Sequence, residues 1–174
     1  GAAGRARGGP GGAVAACAPP GHAHEHHTAR RSPVPGRLTA AQAADAKAIA
    51  KKIADALDYV GVLAVELFVL KDGTLLVNEI APRVHNSGHW TIEGARTSQF
   101  ENHIRAICGL PLGATDLAAN GVVMTNLIGH AANGWPQILA DDHAHLPPYG
   151  QDHPRPLGLG EQPGAGVQLS MLDP

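Results

Sequence analysis

The sequence predicts an α/β fold, because a helical pattern, a pair of strand-length apolar runs and a second helical pattern follow one another between residues 38 and 110. The first helix is expected over about residues 40–57. Thr39 and Gln42 form a capping-box pair at its start, and apolar residues then recur at spacings of three and four. These apolar residues are Ala46, Ile49, Ile53 and Leu57.

A β-hairpin is expected next. The runs at residues 61–70 and 74–80 are rich in apolar residues, and Asp72-Gly73 between them is a strong hairpin signal. A two-residue turn would set Glu66 directly opposite Glu79, whereas a three-residue loop would set Glu66 opposite Asn78. Either register gathers oxygen-bearing side chains within an apolar ribbon.

The two glutamates have two interpretations. Like charges opposite each other on neighbouring strands repel, so a facing pair needs compensation. A solvated face or a protonated pair would provide it, and so would a hard cation such as Mg²⁺, which is usually held by one or two carboxylates together with substrate phosphates. Apolar residues on both faces of the run at 61–70 indicate that much of this strand is covered.

The loop at residues 81–90 follows Glu79 and carries a guanidinium, two imidazoles, an amide and a hydroxyl. Because a guanidinium can bind a carboxylate, carbonate or phosphate in a bidentate fork, these groups suggest an anion pocket beside the carboxylates. The alternative is a polar loop that uses the same groups in its own turns. The residues concerned are Arg83, His85, Asn86, Ser87 and His89.

A second helix is expected over residues 98–107. Ser98 and Glu101 form its capping-box pair, Gly109 and Pro111 stop it, and its apolar residues fall on one face. These are Phe100, Ile104 and Ile107. A third strand is expected at residues 121–128, followed by short loop-rich pieces.

The two flanks differ from this middle segment. Residues 1–36 hold 8 of the 22 glycines and 5 of the 14 prolines of the chain, and contain no Leu, Ile, Met, Phe, Tyr or Trp. Such a stretch buries too little apolar surface to offset its ordering entropy, so residues 1–37 are expected to be a disordered arm. Its histidine cluster could hold a transition metal loosely and consists of His22, His24, His26 and His27.

Composition excludes several classes of protein. A net charge of −2 and a pI of about 6.6 argue against a nucleic-acid binder that relies on a basic surface. No apolar run approaches the roughly 20 residues of a membrane span. Two cysteines make no disulfide framework, so a reducing cytosol is expected.

Three stretches resemble a known family: DYVGVLAVE at residues 58–66, VNEIAPRVHNSGHW at 77–90 and SQFE at 98–101. They are similar to the C-terminal part of the 5-(carboxyamino)imidazole ribonucleotide synthases, ATP-grasp enzymes of purine biosynthesis. The resemblance implies that residues 38–110 form the C-terminal half of an ATP-grasp domain and that residues 111–156 form a small β-rich domain. It also implies a cytoplasmic homodimer.

The resemblance further implies a reaction and residue roles. ATP would phosphorylate bicarbonate, and the amine of 5-aminoimidazole ribonucleotide would take the carboxyl group. The implied ligands are Mg²⁺ on Glu66 and Glu79; ATP on Asn78 and Glu79; bicarbonate or carboxyphosphate on Arg83, His85 and Asn86; and the ribonucleotide on Ser87, His89 and Arg155.

The chain departs from that family at both ends. The family's ATP site uses lysines and a glycine-rich loop from an earlier stretch, whereas the lysines of this chain lie in the first helix and at the hairpin turn. The family's basic C-terminal segment is replaced in residues 157–174 by a stretch without Lys or Arg. We therefore weigh two hypotheses, a working ligase and a non-catalytic remnant. The flanks, residues 1–37 and 157–174, would come from out-of-frame translation or fusion.

Overall fold

A computed structural model of the chain describes residues 2–7, 14–21, 23–25, 28–128, 140–145 and 166–173. Its helices are α1 (Ala40–Ala56), α2 (Thr91–Gly94) and α3 (Gln99–Ile107), with a 3-10 turn at Asn86–Gly88. Its strands are β1 (Ala2–Arg7), β2 (Val14–Ala16), β3 (Ala23–Glu25), β4 (Thr28–Val34), β5 (Gly61–Val69), β6 (Leu75–Ala81), β7 (Gly121–Ile128), β8 (Ala144–His145) and β9 (Gly166–Asp173). None of the described helices could span a bilayer.

The strands form two antiparallel sheets. The first has the order β2-β1-β5-β6, and the second has the order β3-β4-β7-β9-β8. The predicted helix-hairpin-helix succession is confirmed, since α1, β5, β6 and α3 begin and end within two residues of the predicted positions.

Helix α1 packs on one face of the first sheet. The predicted capping box is present, because the Thr39 hydroxyl accepts from Gln42 N–H and the Gln42 side chain accepts from Thr39 N–H. The buried contact of α1 is a row of alanines against alternate residues of β5: Ala46, Ala50, Ala54, Leu63, Val65 and Leu67. Small side chains let the helix approach the sheet closely. Leu57, predicted on the buried face, lies at the C-cap and is 58% exposed.

The β5-β6 hairpin combines both predicted registers. Leu70 N–H donates to Thr74 and Gly73 N–H donates to Leu70, so the turn is a three-residue loop with Gly73 at φ +87°. Beside it, Phe68 pairs with Leu76. A β-bulge then inserts one extra residue into β6, and beyond the bulge Glu66 pairs with Glu79.

Helix α3 turns its apolar face outward. Ser98 caps it as predicted, accepting from Glu101 N–H, but the buried residues are Gln99, Asn102 and Ala106. The residues that sequence periodicity grouped together are half-exposed: Phe100, Ile104 and Ile107. The polar face is buried because its amides and His103 bind backbone groups, as in the bond from Val62 N–H to His103 Nδ1 at 3.1 Å.

The prediction of a disordered arm over residues 1–37 is wrong for the described residues. Strand β1 pairs with β5, and β4 pairs with β7. Pro20, Ser32 and Val34 are buried. Composition did not predict this order because the segment alone has little apolar surface to bury. Backbone hydrogen bonds to the edges of the two sheets stabilise its strands instead.

The β-rich region also draws on both flanks. Its five-stranded sheet joins β7 and β8 to β4 and to β9, which lies within the tail at residues 157–174 and pairs with β7 along its whole length. Val34, Val122 and Met124 of this sheet pack with Trp90 and Ala95 in one buried core. The histidine cluster's His22, His26 and His27 lie outside the described residues.

Candidate active site

Two carboxylates face each other across β5 and β6. The bulge lies at Asn78, so Glu79 is carried back into register with Glu66. Asn78 Nδ2 donates to Glu66 Oε2 at 3.3 Å. The side chains are 28% exposed for Glu66 and 57% exposed for Glu79. The pair therefore lies at a partly open surface.

His85 completes this cluster. Its Nε2 lies 3.9 Å from Glu66 Oε1 and 3.9 Å from Glu79 Oε1, and its side chain is only 12% exposed. On the other side of the ring, Nδ1 accepts from Ser87 N–H at 3.3 Å and lies 2.8 Å from Ser87 Oγ. Because Ser87 contacts Nδ1, Nε2 is the ring nitrogen that faces the carboxylates.

The donor set fits a divalent cation. One ligand atom each from Glu66, Glu79 and His85 lies within 4.8 Å of the others. Two carboxylate oxygens from separate strands suit Mg²⁺, which keeps several waters and takes few protein ligands. The same carboxylate oxygens also suit Mn²⁺, which can therefore replace Mg²⁺ in a binding experiment.

The remaining predicted residues differ in their exposure to solvent. Arg83 and Asn86 are exposed, and Arg83 Nη1 donates to the Val84 carbonyl at 3.0 Å. Ser87 is buried, and its hydroxyl lies within hydrogen-bond distance of the His85 ring. His89 is 4% exposed, and its ring lies 5.3 Å from that of Phe100. Arg155 lies outside the described residues.

The N-terminal flank contributes to the surroundings of His85. Cys17, Ala18 and Pro20 line a small cleft together with residues of β5 and of the loop after β6. The members from β5 and the loop include Ala64, His85, Ser87 and Trp90. The segment that composition assigned to a disordered arm therefore forms part of the wall beside the candidate site.

Sequence reasoning missed two residues that hold the loop beneath His85. Gln99 and Thr91 are 5% and 0% exposed, and their side chains bond to the backbone of the loop at His85 and Gly88. Gln99 stands within the SQFE string at residues 98–101, which was the available signal. That string marked a helix start and a family resemblance, but nothing local indicated where the glutamine side chain would point.

The ATP-grasp domain family matches residues 6–100. The chain is 52% identical over 132 residues to N5-carboxyaminoimidazole ribonucleotide synthase of Brucella melitensis, covering 76% of this chain and 36% of that protein. It is 54% identical over 106 residues to the enzyme of the same name from Bacillus subtilis, covering 61% and 28%.

Solved structures agree over nearly the whole chain. The N5-carboxyaminoimidazole ribonucleotide synthetase of Thermus thermophilus matches with a TM-score of 0.83 and 39% identity, covering 99% of this chain and 45% of that one. The synthase of Aspergillus clavatus, solved with ADP and 5-aminoimidazole ribonucleotide, matches with a TM-score of 0.86 and 28% identity, covering 99% and 46%. The chain thus spans less than half the length of these proteins. The family match begins inside the N-terminal flank, which contradicts a foreign origin for residues 6–37.

Proposed function

The chain belongs to the ATP-grasp family, and on that premise we propose that it takes part in the ATP-dependent carboxylation of 5-aminoimidazole ribonucleotide. In this reaction a bicarbonate oxygen attacks the γ-phosphorus of ATP, and ADP leaves. The ribonucleotide amine then attacks the carbonyl carbon of carboxyphosphate, phosphate leaves, and the amine loses a proton to solvent. The similarity to N5-carboxyaminoimidazole ribonucleotide synthases supports this assignment.

The observation that carries the proposal is the facing pair Glu66 and Glu79 with His85 beside it. We assign Mg²⁺ to the two carboxylates, where the cation would offset charge on the ATP phosphates. Asn78 keeps Glu66 oriented through its 3.3 Å hydrogen bond and, with Glu79, is assigned to ATP.

The loop after β6 is assigned to the other two substrates. Arg83, His85 and Asn86 would bind bicarbonate and then carboxyphosphate, since a guanidinium, an imidazole and an amide all donate to anionic oxygens. Ser87 and His89 are assigned to the ribonucleotide, together with Arg155. Among the described residues, Arg83 is the basic residue that lies nearest in sequence to the carboxylate pair, and its side chain is exposed.

A second candidate function rests on the lysines. Lys47, Lys51 and Lys52 lie on α1, which packs against the residues of β5 that alternate with Glu66. Successive strand residues point to opposite faces, so these lysines stand across the sheet from the carboxylates. In this alternative the chain is a non-catalytic remnant that binds Mg²⁺ or a partner but cannot hold ATP.

The discriminating experiment measures phosphate release and incorporation of labelled bicarbonate with ATP and 5-aminoimidazole ribonucleotide present. Activity that Glu79→Gln abolishes and Asp45→Asn retains would support the ligase. Asp45 is an exposed residue of α1, so this variant controls for the lost charge. Absence of turnover with retained Mg²⁺ binding would support the second candidate.

We also propose a homodimer in the cytoplasm. The half-exposed apolar face of α3 supports an interface between copies, and two free thiols support a reducing compartment. Sedimentation velocity tests the dimer: Ile104→Asp should shift it to monomer, whereas Asp45→Asn should not.

A further inference from the structure

Gln99 holds the backbone of His85 through both ends of its carboxamide. Gln99 Oε1 accepts from His85 N–H at 3.0 Å, and Gln99 Nε2 donates to the His85 carbonyl at 2.8 Å. The side chain is buried, so these bonds form away from competing water. A carboxamide bound to both backbone groups of one residue fixes the position of that residue's Cα.

The same glutamine is itself held in place. Its N–H donates to Thr91 Oγ1 at 2.9 Å, and Thr91 Oγ1 donates to the Gly88 carbonyl at 2.6 Å. A Cβ on Gly88 would lie only 2.5 Å from Gln99 Oε1. The lack of a side chain at Gly88 therefore leaves room for the Gln99 carboxamide.

These contacts connect to the carboxylates through one side chain. Gln99 sets the His85 backbone, Ser87 orients the ring, and His85 Nε2 then lies 3.9 Å from an oxygen of each glutamate. We propose that Gln99 is a positioning residue that sets His85 against Glu66 and Glu79, and so sets the affinity of this cluster for a divalent cation. The inference rests on the proposed function, because it takes the two carboxylates beside His85 as the cation site.

Helix α3 supplies a matched control. Asn102 is 2% exposed and also holds a backbone through both ends of its amide, accepting from Gly113 N–H at 2.8 Å and donating to the Gly113 carbonyl at 3.4 Å. Gln99→Met and Asn102→Leu each remove one buried pair of hydrogen bonds and keep most of the volume. Only Gln99→Met removes hydrogen bonds to the His85 backbone.

The experiment measures Mn²⁺ affinity by electron paramagnetic resonance for both variants, and for Gln99→Met in a His85→Ala background. Outer-shell substitutions typically cost 10–100-fold in metal affinity, so Gln99→Met should lose about tenfold. Asn102→Leu should stay within about twofold, and Gln99→Met should cost nothing further without His85. An unchanged affinity in Gln99→Met, an equal loss in Asn102→Leu, or an equal loss in the His85→Ala background would overturn the proposal.

A metal-free measurement separates this inference from the proposed function. Amide hydrogen exchange at His85 should accelerate in Gln99→Met and stay unchanged in Asn102→Leu, and unchanged exchange in both overturns the positioning role. Gly88→Ala should reproduce the accelerated exchange, since its methyl group displaces the carboxamide, and wild-type exchange there counts against the role. If the wild-type chain binds no Mn²⁺, the proposed cation site is wrong, and so is the part of the inference that concerns affinity. The exchange data still decide whether Gln99 holds His85.

Discussion

Replacing Glu79 by Gln should stabilise the metal-free chain and remove its stabilisation by Mg²⁺. Glu79 is the better choice of the pair because Glu66 Oε2 already accepts a hydrogen bond from Asn78, which the substitution leaves intact. Gln keeps the shape of Glu and removes only the charge. The two effects have opposite signs, so one variant tests the repulsion and the cation together.

The magnitude follows from the geometry. Ligand oxygens of Glu66 and Glu79 lie within 4.8 Å of each other, and two unit charges at that distance repel by about 0.9 kcal/mol in a water-like dielectric. The side chains are 28% and 57% exposed, which favours the water-like value. Like charges on facing strands typically cost roughly 0.2–1 kcal/mol, so the variant should gain up to about 1 kcal/mol in unfolding free energy.

Urea unfolding in EDTA and in excess Mg²⁺ measures both effects. Binding to the folded state alone adds about 2.7 kcal/mol at a hundred times the dissociation constant, so the wild-type chain should become the more stable one in Mg²⁺. Asp45→Asn controls for the change in net charge and should respond to Mg²⁺ as the wild type does. The reasoning fails if Glu79→Gln is less stable than the wild type in EDTA, or if it keeps the full Mg²⁺ effect.

Three further predictions concern stability. Burial raises the pKa of the Cys17 thiol from 9.0 to about 11, and Lys47 opposes this with a smaller lowering. The unfolding free energy should therefore keep its full value below pH 9 and fall by about 3 kcal/mol as the pH rises to 11. Urea unfolding across this range checks it, and the same loss in Cys17→Ala would contradict it. Thr39→Ala removes the capping box and should cost about 1 kcal/mol in the same assay, with no change being the contrary result. Gly61→Ala should cost roughly 1–3 kcal/mol, because Gly61 has φ +126° and a Cβ would lie 3.1 Å from the His103 ring; an unchanged melting temperature would refute this.

Local patterns in the sequence predicted the elements that position the site. The Thr39 capping box, the apolar runs of the hairpin and the Ser98 cap all depend on residues within a few positions of one another. Each therefore leaves a signal in a short window of sequence. The same hairpin pattern identified Glu66, Asn78 and Glu79 as one group of candidate ligands, because the position of the turn leaves only two registers for these residues.

Burial was harder to predict, because it depends on what the rest of the chain presents. Periodicity placed Leu57 on the buried side of α1 and grouped Ile104 with Phe100, yet Leu57 and Ile104 are both more than half exposed. Alanines of α1 and the amide of Asn102 take the buried positions. A pattern identifies a face of a helix, but its neighbours decide whether that face is covered.

The α/β class, the helix caps, the hairpin and the identity of the acidic and imidazole groups all follow from short-range chemistry in the sequence. The tertiary structure alone decided that a bulge at Asn78 brings Glu66 opposite Glu79 and that strands of the N-terminal flank join both sheets. It also decided that Gln99 reaches back 14 positions to hold His85. The physical reason is that backbone pairing and buried amide bonds join segments far apart in the chain, and these contacts leave no periodicity in either segment.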